Sequence, residues 1–398
     1  MSLKQERTRD KFRIANVIEE GRYGGPQARI VAVAEKAQLK GVKTIIICPE
    51  KEIDRFYNEA SERGVAIRPV PMNRLGKNPV QILKYFLTFP KEVFLLRKLL
   101  KKENIDIVHC NSARQYKGVL AGRFSGKKVI WHLQDTFSPT IIKVIFFIIA
   151  FFVNYFIAAG KRVQQYYLGR FPLIRKPVKV IQAPVDTEFF VPKLVCEDKR
   201  IASSPGIKIV SVGNINPAKG YPYFVDAASY FRHEKGAVSF WIVGGALESQ
   251  RSYYNSLLIK AKSASLKNLY LYGPSIDVRS VLKPCDIYVC SSIHEASPIS
   301  VWEAMSMGKA IVSTDVGDVR RFIKDGHNGF VVPIGDGKAL AEKIRVLIDD
   351  PVLRKKFGKK AREVAVKKLD LSVTVKNHLE VYRECLKLDS ERKSWCMY

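Results

Sequence analysis

The chain plays one rhythm twice: a short β-rich run, a loop holding glycine, then a helical stretch, and after a polar interval the same again. FRIANVIEE (12–20) leads through GRYGGP (21–26) to QARIVAVAEKAQLKG (27–41) and on to VKTIIICPE (42–50). Unalternating β-branched runs fit strands buried on both faces, and a helix between successive strands makes them parallel. Further strands are expected at 105–111, 128–134, 155–159 and 178–184, with two helices before the first of them, 79–88 and 91–102, split by Pro90. The interval 191–206, VPKLVCEDKRIASSPG, is polar and aperiodic and reads as a linker. Strands then resume at 207–215, 237–245, 269–273, 286–292, 309–315 and 329–333, and helices at 336–349, 351–368 and about 372–388 close the chain. The expected architecture is α/β: two doubly wound domains, 1–190 and 207–370, facing across a cleft. A C-terminal helix and tail, 371–398, return to the first. Ligands of such sheets sit beyond the C-terminal ends of the strands.

Two windows in the second half carry chemistry. In HEASPISVWEAMSMGKAIVSTDVG (294–317), seven residues separate Glu295 from Glu303. Ser297-Pro298 reads as an N-cap followed by proline at the first helical position, so a helix starts there. Its free N–H groups, from Ile299 through Ser300 to Val301, then form an anion site with a carboxylate on either side. Carboxylates accept hydrogen bonds from sugar hydroxyls. The other window is VGNINPAKGYPYF (212–224). Lys219-Gly220 puts an ammonium at the end of a tight loop, where it would neutralise a diphosphate against that helix end and stabilise it as a leaving group. A solvated lysine and two solvated glutamates are the bland alternative for each feature taken alone.

Together these residues resemble a known family. The Glu295-x7-Glu303 pair, the VGNINPAKG loop, WIVGG (241–245) and the AIVSTDVG…DGHNGFVVP run (310–333) are similar to the donor-binding domain of retaining family 4 glycosyltransferases, which have the GT-B fold of two Rossmann-like domains. The Gly24-Gly25-Pro26 loop, IDIVHCN and WHLQD match more weakly, and VIQAPVDTEFF (180–190) stands where the family has an Asn-Gly-Val-Asp turn. The resemblance implies that Glu295 contacts donor-sugar hydroxyls near the reacting carbon and that Glu303 binds the ribose. It implies that Lys219, with amides around Ile299 and Ser300, holds the diphosphate, and it adds Gly244, Ser297 and Pro298 to the donor site. Gly24 and Gly25 would let a loop approach donor or acceptor, and His132 would sit near the transferred sugar. Two positions depart: Asn214 stands where an arginine is usual, and Ala183-Pro184 where Asn-Gly is. No Asp-x-Asp pair occurs in the chain. Metal-independent chemistry is therefore expected, with a nucleoside-diphosphate sugar as co-substrate, a UDP-sugar ahead of GDP-mannose, and no other cofactor.

The formal net charge is +29, and residues 63–102 hold ten Lys/Arg against one acid, Glu92. A surplus of this size predicts a polyanionic partner: nucleic acid, an anionic membrane face or phosphorylated substrates. No reading element for nucleic acid is recognisable. Basic and Phe/Leu residues interleave over 79–102, as in helices that lie in a membrane interface, and VIFFIIAFFV (144–153) is too short to span one. The expectation is a peripheral protein of the inner membrane face, docked through 79–102 and 141–153, that glycosylates a lipid-linked or saccharide acceptor in polysaccharide or glycolipid synthesis. Seven cysteines without a CxxC pair, and a start (MSLKQERTRDKF) without an apolar signal core, point to the cytoplasm. The alternatives are a GT-B nucleotide-sugar epimerase and a basic, non-enzymatic nucleic-acid-binding protein.

Overall fold

A computed structural model of the chain describes residues 12–76, 78–136, 138–234 and 236–395; the expected tail end, 396–398, and residues 1–11 of the first domain lie outside these. It divides into two compact units, one running to Gln182 and resuming at Thr374, the other from Ala183 to Val373. The first unit is a parallel sheet of β1 (Arg13–Val17), β2 (Lys43–Pro49), β3 (Ala66–Val70), β4 (Ile107–Asn111), β5 (Lys128–Leu133), β6 (Tyr155–Ala158) and β7 (Val178–Val180). The order across the sheet is β3-β2-β1-β4-β5-β6-β7. Its helices are α1 (Gly25–Gln38), α2 (Asp54–Glu62), α3 (Pro79–Lys102), α4 (Tyr116–Phe124), α5 (Thr140–Ala150) and α6 (Lys161–Tyr167). The second unit repeats the plan with β8 (Ile207–Val212), β9 (Val238–Val243), β10 (Leu269–Gly273), β11 (Ile287–Cys290), β12 (Ala310–Thr314) and β13 (Phe330–Val332), ordered β10-β9-β8-β11-β12-β13. Both sheets are doubly wound: their switch points, where neighbouring strands send their chains to opposite faces, fall at β1/β4 and β8/β11.

Two local expectations are corrected, and one further strand is found. The stretch 79–102 is one helix, α3, that continues through Pro90. The proline removes one hydrogen bond, to the Phe86 carbonyl, on a turn whose Phe86, Leu87 and Pro90 are exposed, so water can take the orphaned acceptor. The segment 66–70 is a strand: Pro69 argues against a central strand, but β3 lies at the sheet edge, where the missing donor costs nothing. The segment 191–206 contains a 3₁₀ turn (Pro192–Leu194) and a short helix (Lys199–Ala202), and Ile201 is buried in the core of the second unit.

The segments where the chain leaves and re-enters the second unit are tied to each other. Val185 donates to Leu369 O at 2.9 Å and Leu371 donates back to Val185 O at 3.0 Å, while Thr187 Oγ1 donates to Asp370 at 2.6 Å. The last helix, α15 (Leu371–Trp395), then returns to the first unit, as expected from the sequence. It contributes His378, Tyr382 and Cys385 to that interior. The apolar helix α5 buries Ile142, Phe146 and Ala150, with Phe146 against Trp131 (4.7 Å between centroids) and Tyr167 (4.9 Å). Its other side, Val144 and Ile148, is exposed. No helix among the described residues is long and apolar enough to cross a membrane.

Candidate active site

The sheet of the second unit ends in a set of closely approaching loops. Gly213 and Gly244 follow β8 and β9, and a Cβ at Gly244 would fall 1.9 Å from Gly213 O, so only glycine lets these ends meet. Gly220 has φ +58°, and a Cβ there would meet Ser291 O at 2.1 Å. The turn Pro217–Lys219 is thus pressed against the end of β11, where Ile293 donates to Ala218 O at 2.8 Å. This contact carries Lys219 to Glu295: Nζ donates to Oε1 at 2.7 Å, and Ser292 Oγ donates to the same oxygen at 3.0 Å. Residues 76 apart in sequence therefore form one polar cluster.

Glu303 sits on helix α11 (Ile299–Ser306; the helices between α6 and this one are α7, Lys199–Ala202, α8, Tyr221–Ser229, α9, Arg251–Ser263, and α10, Val278–Leu282). Burial raises its pKa to about 7, against the opposing pull of Lys219. Burial alone would lower the Lys219 pKa, but the Glu295 ion pair outweighs it and the net shift is upward. Lys219 thus stays a cation, with one carboxylate bound to it and a second near enough to feel it.

The helix end differs in detail from the expectation. Pro298, in non-helical geometry, is the capping residue, and Ser297 is not. The Ser297 hydroxyl instead accepts Ala183 N–H (3.1 Å) and Trp302 Nε1–H (3.1 Å), which pins the start of α11 to the crossing segment. Val301 donates to Pro298 O, which leaves the Ile299 and Ser300 amides at the free end. Asn214 is exposed in the loop after β8.

Gly24, Gly25 and His132 belong to the first unit. Gly24 caps α1 through its carbonyl, which accepts Ala28 N–H at 2.9 Å. A Cβ at Gly24 would meet only the Gln27 side chain, at 3.5 Å, whereas one at Gly21 would fall 2.3 Å from Lys51 O. The glycine that the packing of this loop requires is therefore Gly21. His132 has no exposed surface. Expected near the transferred sugar, it lies within a buried row: Arg29 Nη1 is 3.3 Å from its ring, and its Nδ1 is 3.2 Å from His109 Nε2, whose Nδ1 meets Tyr382 Oη at 2.9 Å. Arginine only donates, so the His132 nitrogen that meets Arg29 is an acceptor, and the row continues from His132 through His109 to Tyr382. Burial, Arg29 and the neighbouring imidazoles hold the pKa of His132 well below the usual histidine range. The ligand nitrogens of His109, His132 and His378 lie within 4.8 Å of one another, yet a divalent cation among them would stand against the Arg29 guanidinium. The residue that does emerge where β5 ends is the partly exposed Gln134, which donates to Asn111 Oδ1 at 2.9 Å. Strand alternation alone, with His132 inward, was the available signal for it.

Sequence reasoning also missed Gly213 and Ser292, which are legible only once the loops meet. Gly317 (φ +51°) brings the loop after β12 within 2.8 Å, as a virtual Cβ, of Ala296 O behind Glu295.

Two family profiles match the chain in succession: "Glycosyltransferase Family 4" over residues 23–189 and "Glycosyl transferases group 1" over residues 197–364. Among curated proteins, the chain is similar to the N,N'-diacetylbacillosaminyl-diphospho-undecaprenol alpha-1,3-N-acetylgalactosaminyltransferase of Campylobacter jejuni (22% identical over 370 residues, 87% of this chain and 92% of the relative). It is also similar to the UDP-Gal:alpha-D-GlcNAc-diphosphoundecaprenol alpha-1,3-galactosyltransferase of Escherichia coli (26% over 281 residues, 66% and 71%). Among solved structures, Anabaena Alr3699/HepE in complex with UDP superposes with a TM-score of 0.77 at 18% identity, covering 94% of this chain and 100% of that one.

Proposed function

The chain belongs to the family 4 glycosyltransferases of GT-B architecture, and from that premise we propose that it moves a sugar, with retention and without a metal ion, from a UDP-sugar to a lipid-linked or saccharide acceptor. One observation carries the reading: Lys219 held between Glu295 and Glu303 beside the free N-terminus of α11. The cation and the Ile299 and Ser300 amides supply the positive charge that a diphosphate requires as it leaves. Glu295 is the carboxylate that Lys219 exchanges for the diphosphate, freed to accept donor-sugar hydroxyls. Glu303 faces the ribose. The UDP-bound neighbour and the diphosphoundecaprenol-linked acceptors in the relatives' names support the choice of donor and acceptor class. Calorimetry with UDP, GDP and their sugars tests it: UDP binds, Lys219→Met weakens binding by about ten- to a hundredfold, the value of one charge-assisted hydrogen bond, and EDTA leaves turnover unchanged. Product from donor alone would make the protein an epimerase, and indifference to Lys219 would refute the site.

The acceptor side of the proposal places the protein on an anionic inner membrane face without engaging nucleic acid. Successive steps from β3 to β6 run the same way across the sheet, so right-handed crossovers put α3, α4 and α5 in one layer. The layer leaves Val80 (75% exposed), Leu83, Leu87 (72%) and Phe94 of α3, and Val144 and Ile148 of α5, uncovered. Lys84, Lys91, Lys98 and Lys101 stand among them. Apolar side chains that enter the headgroup boundary, with lysines to meet anionic lipid, form an interfacial surface.

A further inference from the structure

The switch point of the first sheet gathers charged groups that the donor chemistry leaves unused. Glu19 follows β1 by two residues and is partly exposed; Arg114 follows β4 by three. Strands β1 and β4 are neighbours whose chains depart to opposite faces, which opens a crevice between their C-terminal ends. The loop after β3 closes one side: Arg74 pairs with Glu20, and the Asn73 carbonyl accepts Lys117 Nζ at 2.6 Å. The loop after β5 adds Asp135, which accepts the Tyr167 hydroxyl. Lys117 is already committed to the buried Glu92, and the phenols of Tyr85 on α3 and Tyr116 on α4 complete the surroundings.

We propose that Glu19, at the β1/β4 switch point with Arg114 and Arg74 beside it, binds a hydroxyl of the saccharide acceptor. The inference rests on the glycosyltransferase reading and assigns a residue to the acceptor, where the second unit's cluster takes the donor. A carboxylate is the side chain that orients a sugar hydroxyl by accepting its proton, and the flanking cations favour that ionised form. Burial pushes the Glu19 carboxyl up to about 7, with Arg114 foremost among the cations that hold it down and Asp135 opposing them. Acceptor binding by this group is therefore strongest above neutrality.

The test begins with the wild-type chain, UDP-hexoses, and two acceptor panels: short-chain diphospholipid-linked N-acetylglucosamine and free disaccharides. The acceptor used with the lowest KM is carried into Glu19→Gln and Arg114→Ala. In the wild type, acceptor KM falls as pH rises through about 7. Glu19→Gln raises it about tenfold above that pH, the difference between a charged and a neutral hydrogen bond, and abolishes the inflection. UDP affinity stays unchanged. Arg114→Ala moves the inflection to higher pH, a shift that a purely structural carboxyl would not produce. A Glu19→Gln acceptor profile like the wild type's overturns the proposal, and so does an equal loss of UDP binding. Bound UDP with no acceptor from either panel used counts against Glu19. A wild type that binds no UDP defeats the glycosyltransferase reading itself.

Discussion

Glu303 is the residue whose chemistry depends most on its surroundings. In the folded chain it holds a proton up to about pH 7 against an ordinary 4.5. An acid with a raised pKa binds protons more tightly folded than unfolded, so its contribution is most favourable at low pH. That contribution declines as pH rises from about 4.5 to 7. Glu303→Gln is thus expected to raise thermal stability relative to the wild type at pH 8, by up to about 3 kcal/mol at 1.36 kcal/mol per pKa unit, with the difference gone near pH 4. UDP-ribose binding runs the other way: wild-type affinity improves through pH 7 and the variant's does not, as calorimetry at pH 6 and 8 checks. The spacing of Glu295 and Glu303 and the position of Lys219 were readable because Pro298 marks where α11 begins between the two glutamates and Gly220 marks the turn at Lys219. His132 and Ser297 read otherwise because their placement depends on partners far away in sequence. Arg29 lies 103 residues from His132, and Ala183 lies 114 from Ser297.

At the scale of elements, α3 shows both what pattern reading captures and what it misses. Its Phe/Leu and lysine interleaving was visible, and the exposed stripe Val80, Leu83, Leu87 is that pattern in three dimensions. The one acid of the basic window was not interpretable from composition. Glu92 is 3% exposed, ion-paired to Lys117 and hydrogen-bonded to Asn73, and so fixes the inner side of the helix. Continuity through Pro90 was likewise hidden, since whether a proline ends a helix depends on whether water can reach the carbonyl it orphans. Replacing Leu83 and Leu87 together by Glu is expected to abolish flotation with liposomes containing anionic lipid, with far-UV circular dichroism and Tm unchanged because both side chains face outward. Flotation equal to the wild type's would remove α3 from the interface.

At the scale of the molecule, the twofold strand–helix rhythm made two doubly wound sheets legible, and the edge position of β3 was the main thing it concealed. The interior of the first sheet depends on α15, through Leu379, Tyr382 and Cys385 and the row from Arg29 to Tyr382. Histidines held neutral with depressed pKa values stabilise the fold above about pH 6.5, their unfolded value, and that stability is lost as pH falls below it. Calorimetry from pH 7.5 to 5 is expected to lower the transition of the first unit more than that of the second. A chain ended after Val373 should lose the first-unit transition and keep the other; retention of both would show that α15 is dispensable.

The return of α15 also sets an order of events during synthesis. The second unit is one uninterrupted stretch, complete once Val373 has cleared the ribosome, whereas the first waits for residues from Thr374 onward. At about 5–20 residues per second, its open sheet faces the translating cell for on the order of tens of seconds with an apolar strip bare. The half made first is thus finished last. Chaperone dependence should therefore track the length of the intervening stretch: a synonymous slow-codon run placed within 183–373 would prolong that exposure and lower the soluble yield, while the same run after the last codon of α15's buried face would not.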